Sequence, residues 1–151
     1  MTIPDFLLTP HSHVLRVRFC ETDQMGVAHH ASYIPWIEEA RTEWMRARGR
    51  SYREMEDAGL SLAVTRLSLR YLVSARYDDR IRIDTRLSDL RKASLDFEYQ
   101  LYRVGADDVV TDSATNSASP VLVAQAETRL ALIGRDGRPR RLTLDDLVPR
   151  S

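Results

Sequence analysis

Cysteine is almost missing from this chain of 151 residues: Cys20 is the only one, so no disulfide can close within it. Stability must come from a core, and the free thiol fits a reducing compartment, where it serves most simply as a small hydrophobe. Excess charge is missing too. Against 22 acidic side chains stand 22 basic ones, so net charge gives no ground for a nucleic-acid partner or a membrane surface. The basic run RDGRPRR, 135–141, is the local exception and reads as a solvated turn or as a phosphate-contacting patch. Lys92 is the only lysine, and no function is read from that. The N-terminal MTIPDFLLTP has neither a basic n-region nor a long apolar run, which argues against a secretory signal or membrane span and predicts a cytoplasmic protein. There is no repeat and no heptad array. The phosphate-cradling patterns GxxxxGK[ST] and GxGxxG are absent, which disfavours mononucleotide hydrolysis and hydride transfer, and HExxH and GxSxG are absent as well.

What is present is a chain of one-domain size, 1–151, with 43% apolar residues. Strand-like alternation recurs five times. In HVLRVRFC, 13–20, Leu15, Val17 and Phe19 oppose Arg16 and Arg18. Over 62–72, Leu67, Leu69 and Tyr71 oppose Arg66, Ser68 and Arg70. Over 79–89, Ile81, Ile83, Thr85 and Leu87 oppose Arg82, Asp84 and Arg86. Over 94–103, Leu95, Phe97, Tyr99 and Leu101 oppose Asp96, Glu98 and Gln100. Over 121–133, Leu122, Ala124, Ala126, Leu130 and Leu132 oppose Gln125, Glu127 and Arg129. Such strands joined by short turns predict a largely antiparallel sheet.

One long helix, 32–48, interrupts the series, with Tyr33, Trp36, Ile37, Ala40, Trp44 and Ala47 on one stripe. Pro35 is tolerated near its start and Gly49 is placed to stop it. At about 26 Å it can span five strands. A short helix is expected at SYREMEDAG, ending at Gly59, a polar hairpin loop over 105–120, and a helical turn in LTLDDLVPRS, whose end resembles a protease-cleavage linker. One helix between the first strand and four later ones predicts an α+β class. A sheet with one face on that helix leaves the other face open, which predicts at least a dimer.

The chemistry concentrates in VRFCETDQMGVAHHASY, 17–33. Asp23 follows a strand in a loop punctuated by Gly26 and Val27 and ending where the helix begins. As structure it is a turn former. Set opposite the free N–H groups of a helix start, it equally suits acyl transfer, the N–H groups polarising a carbonyl and the carboxylate supplying attack or base function. His29 and His30 read as polar packing, as a base oriented by Asp23, or as metal ligands if His11 and His13 converge on them. An anionic cosubstrate would use arginines such as Arg91, with Lys92, in the turn LRKAS, or the basic turn near 138–141.

The segment VRFCETDQMGVAHHASYIPWIEEARTEWMRARG, 17–49, resembles the N-terminal signature of the acyl-CoA thioesterases of the 4-hydroxybenzoyl-CoA thioesterase and YbgC type. YDDRIRIDTRL, SLDFEYQL and AETRLALIGRDGRPRRL resemble later strands of that family. The resemblance implies a hot-dog fold, a five-stranded antiparallel sheet wrapped around one long helix, assembled as a homodimer or homotetramer. It implies hydrolysis of a coenzyme A thioester without metal or other cofactor. Asp23 matches the family's carboxylate, as nucleophile or general base. His30 matches the position whose backbone N–H polarises the carbonyl, and also the histidine common in the YbgC branch; Tyr33 matches an aromatic of the same motif. His29 and Pro35 depart from the usual pattern, the first standing where an aromatic is common. A non-catalytic acyl-CoA or acyl-carrier binding module and a hot-dog hydratase or dehydratase share the fold and are the competing functions.

Overall fold

The five alternating segments pair into one antiparallel sheet in the computed structural model, which describes residues 2–105 and 120–148. Its strands are β1 (His11–Arg16), β2 (Ser61–Tyr71), β3 (Arg80–Leu90), β4 (Ser94–Val104) and β5 (Val121–Ile133), in the spatial order β1-β3-β4-β5-β2. The helices are α1 (Asp5–Leu8), α2 (Tyr33–Ala47), α3 (Tyr52–Asp57) and α4 (Leu144–Leu147). The α+β reading holds, with α2 carrying the chain from one edge strand to the other. The expected hairpin loop falls at 106–119 and the end of the tail at 149–151, outside the described residues.

The period-two pattern places the core. Ile81, Ile83, Thr85 and Leu87 of β3 and Leu95, Phe97, Tyr99 and Leu101 of β4 are all fully buried on the face that meets α2, as their alternation predicts. There Trp44 of α2 stands edge-on to Phe97, ring centroids 5.0 Å apart. The short helices obey their local signals. Ser51 and Glu54 form a capping box on α3, and Gly49 and Gly59 follow α2 and α3 with φ of +90° and +78°, a left-handed conformation that glycine adopts without strain. Pro35, third in α2, lies within the first turn, where its missing N–H costs no helical bond.

Four details depart from the alternation. Phe19 is 77% exposed rather than buried. Its strand ends at Arg16, because β3, its partner, begins at Arg80, and the chain turns into a one-turn 3₁₀ helix at Phe19–Glu21. In β5 a register shift opposite Leu101 and Tyr102 buries Val123 beside Ala124 and leaves Leu122 only half-buried. On α2 the buried stripe takes Arg41 and Met45 and leaves Ala47 exposed. Arg41 is tolerated inside because its guanidinium donates to the hydroxyls of Tyr99 at 3.1 Å and Tyr52 at 3.3 Å. Tyr71, expected beside Leu67 and Leu69 on the buried face, is 47% exposed at the end of edge strand β2.

Candidate active site

The loop after β1 folds back on itself. The Asp23 N–H donates to the Val27 carbonyl at 3.0 Å, the Gly26 N–H returns to the Asp23 carbonyl at 3.0 Å, and Thr22 pairs with Ala28 across the base. Gly26 takes φ +75°, a conformation that costs most residues free energy. Asp23 is half-buried, and its Oδ1 accepts the Met25 N–H at 2.9 Å. Both readings of this aspartate therefore survive: one oxygen forms the turn, while among the described residues the other takes no hydrogen bond.

The return limb delivers the start of α2. Ala28 donates to the Ala75 carbonyl at 2.7 Å and His29 to the Glu21 carbonyl at 2.8 Å, after which His30–Ser32 form a 3₁₀ turn running directly into α2. The Ala31 N–H is taken by His29 Nδ1 at 3.1 Å, and the Ser32 N–H by the His29 carbonyl at 2.9 Å. Among the described residues the His30 N–H has no acceptor, leaving it as the unpaired donor of the turn. The His30 carbonyl accepts the Tyr71 hydroxyl at 2.8 Å, which ties the end of β2 to this turn.

Glu21, two residues before Asp23, is the hub of the local structure. It is 8% exposed. Its Oε2 accepts the Trp36 indole N–H at 2.6 Å and its Oε1 the Arg18 N–H at 2.8 Å, with the Arg18 guanidinium 3.3 Å away. Its carbonyl accepts both His29 N–H and the Ser32 hydroxyl. Burial pushes the Glu21 carboxyl up, but the bonds from Arg18 and Trp36 outweigh it and hold the group below its ordinary value. The available signal was an acid two residues before Asp23 together with an indole on the helix stripe. Beside it a cavity of about 340 Å³ runs between Leu15, Arg18, Glu21, Pro35, Trp36 and Glu39.

The other expected site residues divide. His29 and His30 stack, ring centroids 4.1 Å apart, on the exposed face of the turn. Tyr33 is a core side chain, 3% exposed, against Trp36 and Tyr71, and burial pushes its phenol up despite a hydrogen bond with the Ala75 backbone. Gly26 and Val27 shape the loop through their backbone. Arg91 and Lys92 are not brought to Asp23 within one chain. Arg16 faces Arg80 across β1 and β3, so the turn that follows Leu90 lies at the other end of β3, roughly 35 Å away. Arg91 there meets Asp89 at 2.7 Å and Asp96 at 3.0 Å, and the Lys92 carbonyl accepts the Leu142 N–H. His11 and His13 lie on β1 beside α2, where His13 Nε2 is 3.3 Å from Glu39, so they do not converge on His29 and His30. Among the described residues no three histidine, cysteine or acidic side chains gather as a metal site.

A single antiparallel sheet with one long helix on its face, the loop of Asp23 feeding the start of that helix, is the hot-dog fold. The match to the Thioesterase-like superfamily over residues 17–148 makes the family plain: the chain belongs to it. It is 32% identical to the acyl-CoA thioester hydrolase YbgC of Escherichia coli O157:H7 over 100 residues, 66% of this chain and 73% of that protein. A hypothetical protein of Aquifex aeolicus superposes with a TM-score of 0.77 at 28% identity, covering 91% of this chain and 99% of that one. The DHNA-CoA thioesterase of Staphylococcus aureus superposes with a TM-score of 0.75 at 25% identity, covering 93% and 84%. No helix of the described residues is long and apolar enough to cross a membrane.

Proposed function

We propose that this protein is a cytoplasmic acyl-CoA thioesterase in which Asp23 is the reacting carboxylate and the His30 N–H polarises the thioester carbonyl. The observation that carries the reading is that one closed loop joins a carboxylate and a helix start that, among the described residues, keep one oxygen and the first N–H without a hydrogen-bond partner. In the base form of the reaction, Asp23 takes a proton from water as the water oxygen attacks the acyl carbon. The carbonyl oxygen gains charge beside the His30 N–H, and the C–S bond then breaks to release free acid and coenzyme A. In the nucleophile form, a carboxylate oxygen of Asp23 attacks the acyl carbon, the C–S bond breaks as the coenzyme A thiolate leaves, and water then cleaves the mixed anhydride to release free acid and restore the carboxylate. Neither form requires a cofactor beyond the coenzyme A of the substrate. Residues 1–151 act as one thioesterase domain.

The full site is shared between subunits. Edge strand β2 exposes Val64 and Tyr71, and pairing with its copy about a two-fold axis would be antiparallel. The Ser61 end of one β2 then meets the Tyr71 end of the other. That brings the Arg91 and Lys92 end of one subunit to the side of its partner that carries Asp23, where these side chains suit the phosphates of coenzyme A.

The test is thiol release from short, long and aromatic acyl-CoA substrates by wild type and Asp23→Asn. Asparagine keeps an oxygen for the Met25 N–H, so the turn stays while the carboxylate goes. The expected result is release by wild type and a fall of about 100-fold or more in the variant. Full activity in Asp23→Asn sinks the mechanism. No release from any substrate favours a binding module, or a hydratase acting without freeing thiol.

A further inference from the structure

We infer that His29 is a positioning residue that acts as a titratable cap: its neutral ring fixes the turn presenting the His30 N–H, and protonation of that ring releases it. The inference rests on the thioesterase reading for its effect on rate, but its structural half stands independently.

His29 holds the turn at three points. Its N–H donates to the Glu21 carbonyl at 2.8 Å, its carbonyl accepts the Ser32 N–H at 2.9 Å, and its ring Nδ1 accepts the Ala31 N–H at 3.1 Å. With φ −61° and ψ 139° it has the extended backbone of a capping residue at the head of His30–Ser32. A capping serine or asparagine keeps its acceptor at every ordinary pH. An imidazole does not, because it accepts only at an unprotonated nitrogen and both nitrogens become donors in the cation. Protonation at Nδ1 therefore sets an N–H against the Ala31 N–H, and the bond becomes a repulsion. The Ala31 amide follows the His30 amide directly, so a turn that loses the first bond misaims the second.

The surroundings favour release. The His30 ring lies 4.1 Å from that of His29, and a positive charge on one ring opposes a positive charge on the other. Of the acidic groups of the loop, Glu21 is engaged by Arg18 and Trp36, and one oxygen of Asp23 by the Met25 N–H. From β2, the facing group is the Tyr71 hydroxyl, which donates to the His30 carbonyl. Among the described residues no carboxylate lies in ion-pair contact with either ring.

The test is the pH dependence of kcat and KM for thiol release by wild type, His29→Asn, His29→Phe and His30→Asn, with the Ala31 amide followed by NMR. Asparagine supplies an N-cap oxygen that does not titrate; phenylalanine supplies none. Wild type is expected to lose kcat on acidification, as the His29 ring takes up its second proton. That limb disappears in His29→Asn, leaving only the loss at lower pH where carboxylates protonate. His29→Phe lacks the cap at every pH, so its kcat at neutral pH is lower than that of His29→Asn by about threefold to tenfold, with KM little changed. The Ala31 amide shift titrates in wild type and His30→Asn and is flat through the same range in His29→Asn. A wild-type limb retained in His29→Asn, or removed by His30→Asn instead, overturns the inference. An Ala31 shift that ignores pH overturns it whether or not the protein hydrolyses thioesters, whereas a titrating amide without thiol release removes the thioesterase reading and leaves the cap.

Discussion

At the residue scale, the loop before α2 depends as much on the buried Glu21 as on Asp23. The place of Asp23 in a turn ahead of α2 was legible because a carboxylate beside a glycine and a helix start is visible in the order of residues. Glu21 was not, because burial is set by how the loop closes on α2, and only the folded chain brings Trp36 to it. Its shift has a definite sign. A carboxyl held below its ordinary value of 4.5 in the folded state adds stability at pH above its unfolded value, and that stability is lost as pH falls through the folded value. Glu21→Gln keeps an acceptor for one donor but cannot titrate. The variant is expected to be less stable than wild type at neutral pH and to lose less on acidification below about pH 4.5, so the two melting curves converge toward acid. Thermal unfolding over pH 7 to about 3 measures this. Parallel loss in both proteins would mean that Glu21 does not set the acid response.

At the element scale, α2 shows where periodicity works and where it stops. Tyr33, Trp36, Ile37, Ala40 and Trp44 follow the stripe read from the sequence, but an arginine takes the place that apolar spacing assigned elsewhere. No sequence pattern announces a buried arginine, because its tolerance depends on two hydroxyls delivered by α3 and β4. Among the described residues no carboxylate pairs with it, and Tyr99 keeps the Thr128 hydroxyl at 2.8 Å without it. The stem of Arg41 fills space, while its charge is costly to desolvate. Arg41→Met, which preserves most of the volume, is therefore expected to unfold within about 1 kcal/mol of wild type. Arg41→Ala is expected to lose about 2 to 5 kcal/mol through the cavity it opens. Urea denaturation separates the two. If methionine costs as much as alanine, the tyrosine bonds rather than packing hold this part of the helix.

At the scale of the whole molecule, strand number and direction could be read from alternation, but the sheet's spatial order could not. The helix after β1 carries the chain to the far edge, so β2 pairs with β5 rather than with its neighbour in sequence. This leaves an eleven-residue strand on the outside of the sheet, with a register shift between Val64 and Arg66 and with Val64 47% exposed. An edge of that length with unpaired backbone groups is a template for another strand, and soluble proteins guard such edges unless they use them. Arg66 and Arg70 lie on the charged outer face of this strand, not on the row that Val64 occupies beyond the shift, so the apolar side chain marks where a copy would dock. A lysine on an edge is a device that blocks strand addition. Under the proposed pairing of β2 with its copy, Val64→Lys is expected to give a monomer where wild type is a dimer, read by sedimentation velocity, with little change in the far-ultraviolet spectrum. Because the Arg91 and Lys92 end would then lose its partner's Asp23, KM for acyl-CoA should rise by about tenfold or more while the monomer stays folded, the effect of losing a charge-assisted phosphate contact. A variant that turns monomeric yet keeps the wild-type KM would show that each chain binds its substrate alone, and that the basic turn belongs to some other surface.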